Sequence, residues 1–106
     1  MSRRTTAIAA ALSVLALGSP LMTGCVNPLA TNFYNSGVEK HEKGDYQGAI
    51  ADWSKAIEIN PQYADAYINR GTGREVQNDL KSACQDWRKA AELGKKEPAE
   101  WVKEAC

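Results

Sequence analysis

The chain echoes itself at a step of 34 residues: Trp53 is answered by Trp87, Gly37 by Gly71, Asn35 by Asn69, Asp45 by Asp79, Ala49 by Ala83 and Ala56 by Ala90. A period between about 20 and 50 residues marks stacked supersecondary units, each unable to bury its apolar face alone. In Gln47 to Ile59 the residues Ala49, Ile50, Trp53, Ala56 and Ile57 recur at steps of three and four, which places them on one stripe of an α-helix. Gly37 and Gly71 on one helix of each unit, with Ala49, Ala56, Ala83 and Ala90 on the other, let the pair approach closely, and Trp53 and Trp87 fill the space that remains. A large residue at Ala49 is expected to overpack that contact, at a cost of about 1–3 kcal/mol. Pro61 cannot continue a helix ending near Asn60, and Gly44-Asp45 and Asn78-Asp79 supply turns. The spacing predicts helices near residues 30–43, 47–59, 64–77, 81–93 and 98–105.

Those residues resemble the tetratricopeptide repeat (TPR), a helix-turn-helix unit of about 34 residues. In repeat 1, residues 30–63, the pattern is carried by Phe33, Gly37, Gly44-Asp45-Tyr46, Ala49, Trp53, Ala56 and Pro61; in repeat 2, residues 64–97, by Tyr67, Gly71, Asp79, Leu80, Ala83, Trp87 and Ala90. A truncated third unit, the capping helix 98–106, begins at Pro98, with Trp101 thirty-four residues after Tyr67 and Ala105 thirty-four after Gly71. The departures are Ser36 and Arg70 where the family prefers Leu, Lys40 and Arg74 where it prefers Tyr, and Lys95 where it prefers Pro. The resemblance implies an all-α fold, a short right-handed α-solenoid of two repeats plus a C-terminal capping helix. Trp53, Trp87 and Trp101 fall on core positions of the repeat.

Ahead of the repeats, Arg3 and Arg4 are followed by an apolar run from Ala7 to Leu17, broken at Gly18-Ser19-Pro20. The run falls short of the roughly 20 apolar residues a membrane helix needs and reads as a signal peptide over residues 1–24. Thr23-Gly24 before Cys25 resemble the lipobox of bacterial lipoproteins, with Met22 where Leu is usual, and this implies lipidation of Cys25 and a short tether over 25–29. Ordinary cleavage leaving Cys25 free or paired, and an uncleaved anchor, are the alternatives. The expected location is therefore the cell membrane or outer membrane through a lipid anchor, or else the soluble periplasm or exterior.

Loss of Arg3 and Arg4 with the leader moves the formal charge from zero to about −2, with acids and bases interspersed, so nothing gathers the cations that nucleic acid requires. The basic doublet Lys95-Lys96 reads as cations near a helix C-terminus. One histidine, no CxxC and no glycine-rich phosphate loop leave no catalytic, cofactor or metal constellation. His41 reads as a solvated surface side chain or a contact to a bound segment. Cys84 and Cys106 lie about equally far from the turn at Gly94 to Glu97, so on antiparallel helices they can face each other. A disulfide there would add about 3 kcal/mol to a small core; otherwise Cys84 is a small buried hydrophobe.

In TPR proteins the first helix of each repeat lines a groove that receives a segment of another protein. Carried over by repeat position, the lining is Tyr34, Asn35, Val38, His41, Ile68, Asn69, Thr72 and Glu75. Asn35 and Asn69 are the pair best suited to a peptide backbone, because an amide both donates and accepts. The basic pattern with which some relatives clamp a terminal carboxylate is missing, since Tyr34 and Val38 stand where Lys and Asn are wanted. The expected function is a non-catalytic protein-binding adaptor in the bacterial envelope. The rival is a structural or self-associating envelope protein with no peptide ligand. Oligomeric state is left open.

Overall fold

The computed structural model describes residues 27–106. The leader, the lipobox and Cys25 lie outside the described residues, which form five helices and no strand: α1 Pro28–Glu42, α2 Tyr46–Ile59, α3 Ala64–Val76, α4 Leu80–Glu92 and α5 Lys96–Ala105. The chain is a helical-repeat solenoid. Successive helices pack as neighbours, and α1 also touches α3.

The turns repeat as faithfully as the helices. After α1 the chain enters the left-handed region at Gly44 (φ 86°), after α3 at Asn78 (φ 66°) and after α4 at Gly94 (φ 104°). In each case the next amide, of Asp45, Asp79 or Lys95, donates back to the carbonyl of Lys40, Arg74 or Ala90 at 2.8–3.1 Å and closes the helix end. Asp45 and Asp79 then start the following helices, their carboxylates accepting from the amides of Gly48 (3.0 Å) and Ser82 (3.2 Å). The α1 start is built from Asn27, which caps through Leu29 N, and Pro28, whose ring suits the first helical position.

The last helix begins at Lys96, two residues ahead of the boundary that Pro98 suggests. A proline in the first turn forfeits no helical hydrogen bond, so Pro98 sits inside the helix and is buried. This also corrects the reading of Lys95-Lys96. Lys95 closes the end of α4 through its amide but is also the first residue of the α5 start, with Lys96 inside α5, and Lys95 Nζ reaches Asp65 at 3.1 Å.

The core is mostly small. Ala49, Ala56, Ala66, Ala83 and Ala90 are fully buried, with Trp53, Trp87 and Tyr67 supplying the volume. A Cβ on Gly37 would stand 2.5 Å from Trp53 Nε1, and one on Gly71 would stand 2.6 Å from Trp87 Nε1, so each glycine is the seat of its repeat's indole. Gly73 does a different job. Its missing side chain admits Ile50 and Trp53 of the preceding repeat, at 3.2 and 3.3 Å from where a Cβ would be, and so sets the approach of α3 to α2. Cys84 and Cys106 are joined by a disulfide, Cα atoms 6.0 Å apart, which ties α4 to the end of α5.

Candidate functional site

Two recesses open along one side of the solenoid, and they are 34-residue counterparts. The first, about 190 Å³, lies between α1 and α3 and is lined by Val38, His41, Glu42, Trp53, Asn69 and Thr72. The second, about 450 Å³, lies among α3, α4 and α5 and is lined by Thr72, Glu75, Trp87, Trp101, Glu104 and Ala105. Val38, His41 and Trp53 of the first correspond to Thr72, Glu75 and Trp87 of the second. Thr72 lines both, so the two recesses adjoin.

Of the eight residues expected to line the groove, Val38, His41, Asn69, Thr72 and Glu75 are brought together there. Tyr34, Asn35 and Ile68 line neither recess. Tyr34 is half-buried, its ring stacked on Tyr63 with centroids 5.0 Å apart, and its hydroxyl accepts from Asn69 Nδ2 at 3.0 Å. Burial, and after it the negative charge of Asp65, raise the Tyr34 phenol above its ordinary pKa. The two asparagines therefore differ. Asn69 spends one amide proton holding α3 to α1, whereas Asn35 is exposed. Ile68 is half-buried, and its carbonyl accepts from Thr72 Oγ1 at 3.1 Å.

His41 is not the solvated side chain its isolation in the sequence suggests. It is half-buried, edge-on to Tyr46 (5.0 Å) and tilted against Trp53 (5.7 Å), and its Nδ1 is buried without a protein partner. Trp101 also departs from expectation. On the last described helix it is half-exposed, meeting Trp87 edge-on at 5.5 Å and lining the larger recess instead of filling core.

Four of the five departures from the repeat pattern, Ser36, Lys40, Arg70 and Arg74, are explained by a polar layer between the helices of each unit. In repeat 2, Arg70 grips Asp86 through Nε–Oδ2 (2.9 Å) and Nη2–Oδ1 (2.7 Å), and Arg74 adds Nη1–Oδ2 (2.8 Å). Arg70 Nη1 also donates to Ser54 Oγ (3.1 Å) on α2. In repeat 1, Ser36 Oγ donates to Asp52 Oδ2 (2.6 Å) and Lys40 Nζ lies 3.0 Å from the same oxygen. Sequence reading missed this layer, yet its signal was present. Asp52 and Asp86 are 34 apart, like Ser36 and Arg70 and like Lys40 and Arg74.

Among the described residues no three His, Cys, Asp or Glu side chains are grouped to hold a metal ion, and no helix is long and apolar enough to cross a membrane. The recesses are lined by indole edges, an amide and three carboxylates.

A family model described as TPR repeat matches residues 37–72, from within the first unit to within the second. An uncharacterised protein of Methanocaldococcus jannaschii is similar to this chain, 47% identical over 38 residues, 36% of this chain and 44% of the relative. The chain thus spans less than half of that protein's length. The family match supports a TPR protein, and such repeats are generally non-catalytic and mediate protein interactions.

Proposed function

We propose that this chain, a helical-repeat module of TPR type, is an adaptor that seats a segment of another protein in the groove between α1, α3 and α5. The observation that carries the reading is that the two recesses adjoin at Thr72, because an extended segment can place successive side chains in neighbouring recesses. The helices that flank the recesses are fixed from behind, by the Tyr34–Asn69 bond and the Arg70–Asp86–Arg74 cluster, so little order has to be gained on binding. Asn35, one turn before Val38 on α1, is exposed, and its amide can both donate to and accept from a peptide backbone.

The adaptor is exported and held in the bacterial envelope by lipid on Cys25. The support is the leader and Thr23-Gly24-Cys25 in the sequence, together with the Cys84–Cys106 disulfide, a bond that persists in oxidising compartments. Intact mass of the membrane-associated protein checks the anchor: the expected product starts at acylated Cys25, and an unacylated chain retaining Arg3 and Arg4 would remove it.

The groove is tested by filling it. Thr72→Trp, at the junction of the recesses, is expected to abolish recovery of cross-linked envelope partners while the helical circular dichroism is kept. Glu58→Trp, at an exposed position of α2, is the control. Equal recovery by both variants would leave the groove without a ligand and favour self-association instead.

A further inference from the structure

The charge of the groove says what kind of segment it takes, an inference that rests on the groove reading above. Glu42 lines the smaller recess and Glu75 and Glu104 the larger, while no lysine or arginine lines either. Among the described residues, none of these three carboxylates lies within ion-pair distance of a cation, whereas Asp52, Glu58, Asp65, Asp86, Glu92 and Glu100 all do. Of the cations close by in sequence, Lys40, Arg74 and Lys103 pair with Asp52, Asp86 and Glu100, and Lys43, next to Glu42, lines neither recess. Glu39, Asp45, Asp79 and Glu97 are in no ion pair either, so what sets the groove acids apart is that they share recesses that no lysine or arginine lines.

The larger recess adds a second property. Its walls carry Trp87 and the half-exposed Trp101, edge to face, beside Glu75 and Glu104. At about 450 Å³ it exceeds any single side chain and has room for one long side chain with adjoining backbone. A guanidinium or ammonium on an apolar stem satisfies such walls: the stem lies along apolar indole, and the charged head meets carboxylates and the π-faces. An acidic or purely aliphatic side chain would leave two carboxylates facing a charge or a greasy surface.

We propose that the recess among α3, α4 and α5 takes the side chain of an arginine or lysine, and that the segment bound in the groove is basic. The test is a nuclear magnetic resonance titration of the full chain, in detergent and with the disulfide intact, using a twelve-residue Gly/Ser peptide that carries two arginines. The same peptide with citrulline, the neutral isostere, and with glutamate are the comparisons. The arginine peptide is expected to shift the Trp101 indole resonance and the Glu75 and Glu104 amides to saturation. Citrulline, or the double variant Glu75→Gln/Glu104→Gln, is expected to weaken binding by roughly tenfold or more, and raising salt from about 0.05 to about 0.3 M is expected to weaken it further. Both glutamates are exposed and without ion-pair partners among the described residues, so the double variant retains the fold, which its spectrum checks. Equal binding of the citrulline or glutamate peptide, or shifts confined to α1, would overturn the inference and leave the groove reading standing. Absence of shifts on α1, α3 and α5 with all three peptides would overturn both.

Discussion

Between its two helices the first repeat holds Asp52 with a serine and a lysine, whereas the second holds Asp86 with two arginines. The positions are equivalent, but the environments are not. The side chains of Lys40 and Asp52 are 42% and 13% exposed, and those of Arg70 and Asp86 are 16% and 4%. The second repeat packs against a neighbour on both sides, and Arg70 uses that fact by reaching Ser54 on the preceding unit. Among the described residues α1 has nothing before it, and there a solvated lysine suffices. The indoles show a parallel asymmetry. Trp53 Nε1 donates to the Tyr34 carbonyl (3.1 Å), but the equivalent carbonyl, of Ile68, accepts from the hydroxyl of Thr72, and Trp87 Nε1 is buried without a protein partner. Substitutions the repeat pattern tolerates thus acquire their meaning from position in the stack: the same register is a surface in one unit and an interface in the next.

The largest expected effect separates the two polar layers. Asp86→Ala leaves two guanidinium groups without their carboxylate and is expected to cost about 3–5 kcal/mol. Asp52→Ala, beside a lysine that water can solvate, is expected to cost no more than about 1 kcal/mol. Urea unfolding of the full chain measures both, and equal losses would abolish the distinction. Next, Cys84→Ser with Cys106→Ser releases a loop spanning 22 residues and is expected to cost about 3 kcal/mol. Hydrogen exchange locates the loss: α4 and α5 are expected to open before α1 and α2. Gly37→Ala and Gly71→Ala each drive a methyl into an indole and are expected to cost about 1–3 kcal/mol. Gly71 has the backbone oxygen of Ala83 at 3.2 Å as well, so its variant is expected to unfold first.

The smallest effect concerns the helix caps. Asp79 accepts from the Ser82 hydroxyl and backbone amide, which hold its carboxyl below the ordinary aspartate range. The equivalent of Ser82 in repeat 1 is Gly48, which offers its amide alone. Because the folded pKa is depressed, the cap's contribution is present above the unfolded value and is lost as pH falls through the folded one. Ser82→Ala is expected to return the Asp79 carboxyl towards its ordinary value in a carbon-detected titration, with the onset of acid destabilisation moved to higher pH.

Helices, turns and the close-packing residues were legible in the sequence, because they depend on local chemistry repeated at a fixed step: Gly37 and Gly71 under the indoles, Asp45 and Asp79 in the turns. Gly73 was not. It has no counterpart 34 residues earlier, where Glu39 stands, since its contact is to a neighbouring repeat. The groove was legible in part. Val38, His41, Asn69, Thr72 and Glu75 follow from repeat position, but the acid contributed by Glu104 and the exposure of Trp101 depend on how α5 packs on α4. His41 escaped because its partners, Tyr46 and Trp53, come from the next helix.

The most direct test of the groove as a binding surface is a photo-crosslinking scan of the full chain in its native envelope, with benzoylphenylalanine placed singly at Val38, Glu75, Lys55 and Arg88. Crosslinks to the same polypeptide from Val38 and Glu75, and none from Lys55 on α2 or Arg88 on α4, are the expected result. Crosslinks from Lys55 and Arg88 with none from the groove positions would contradict it.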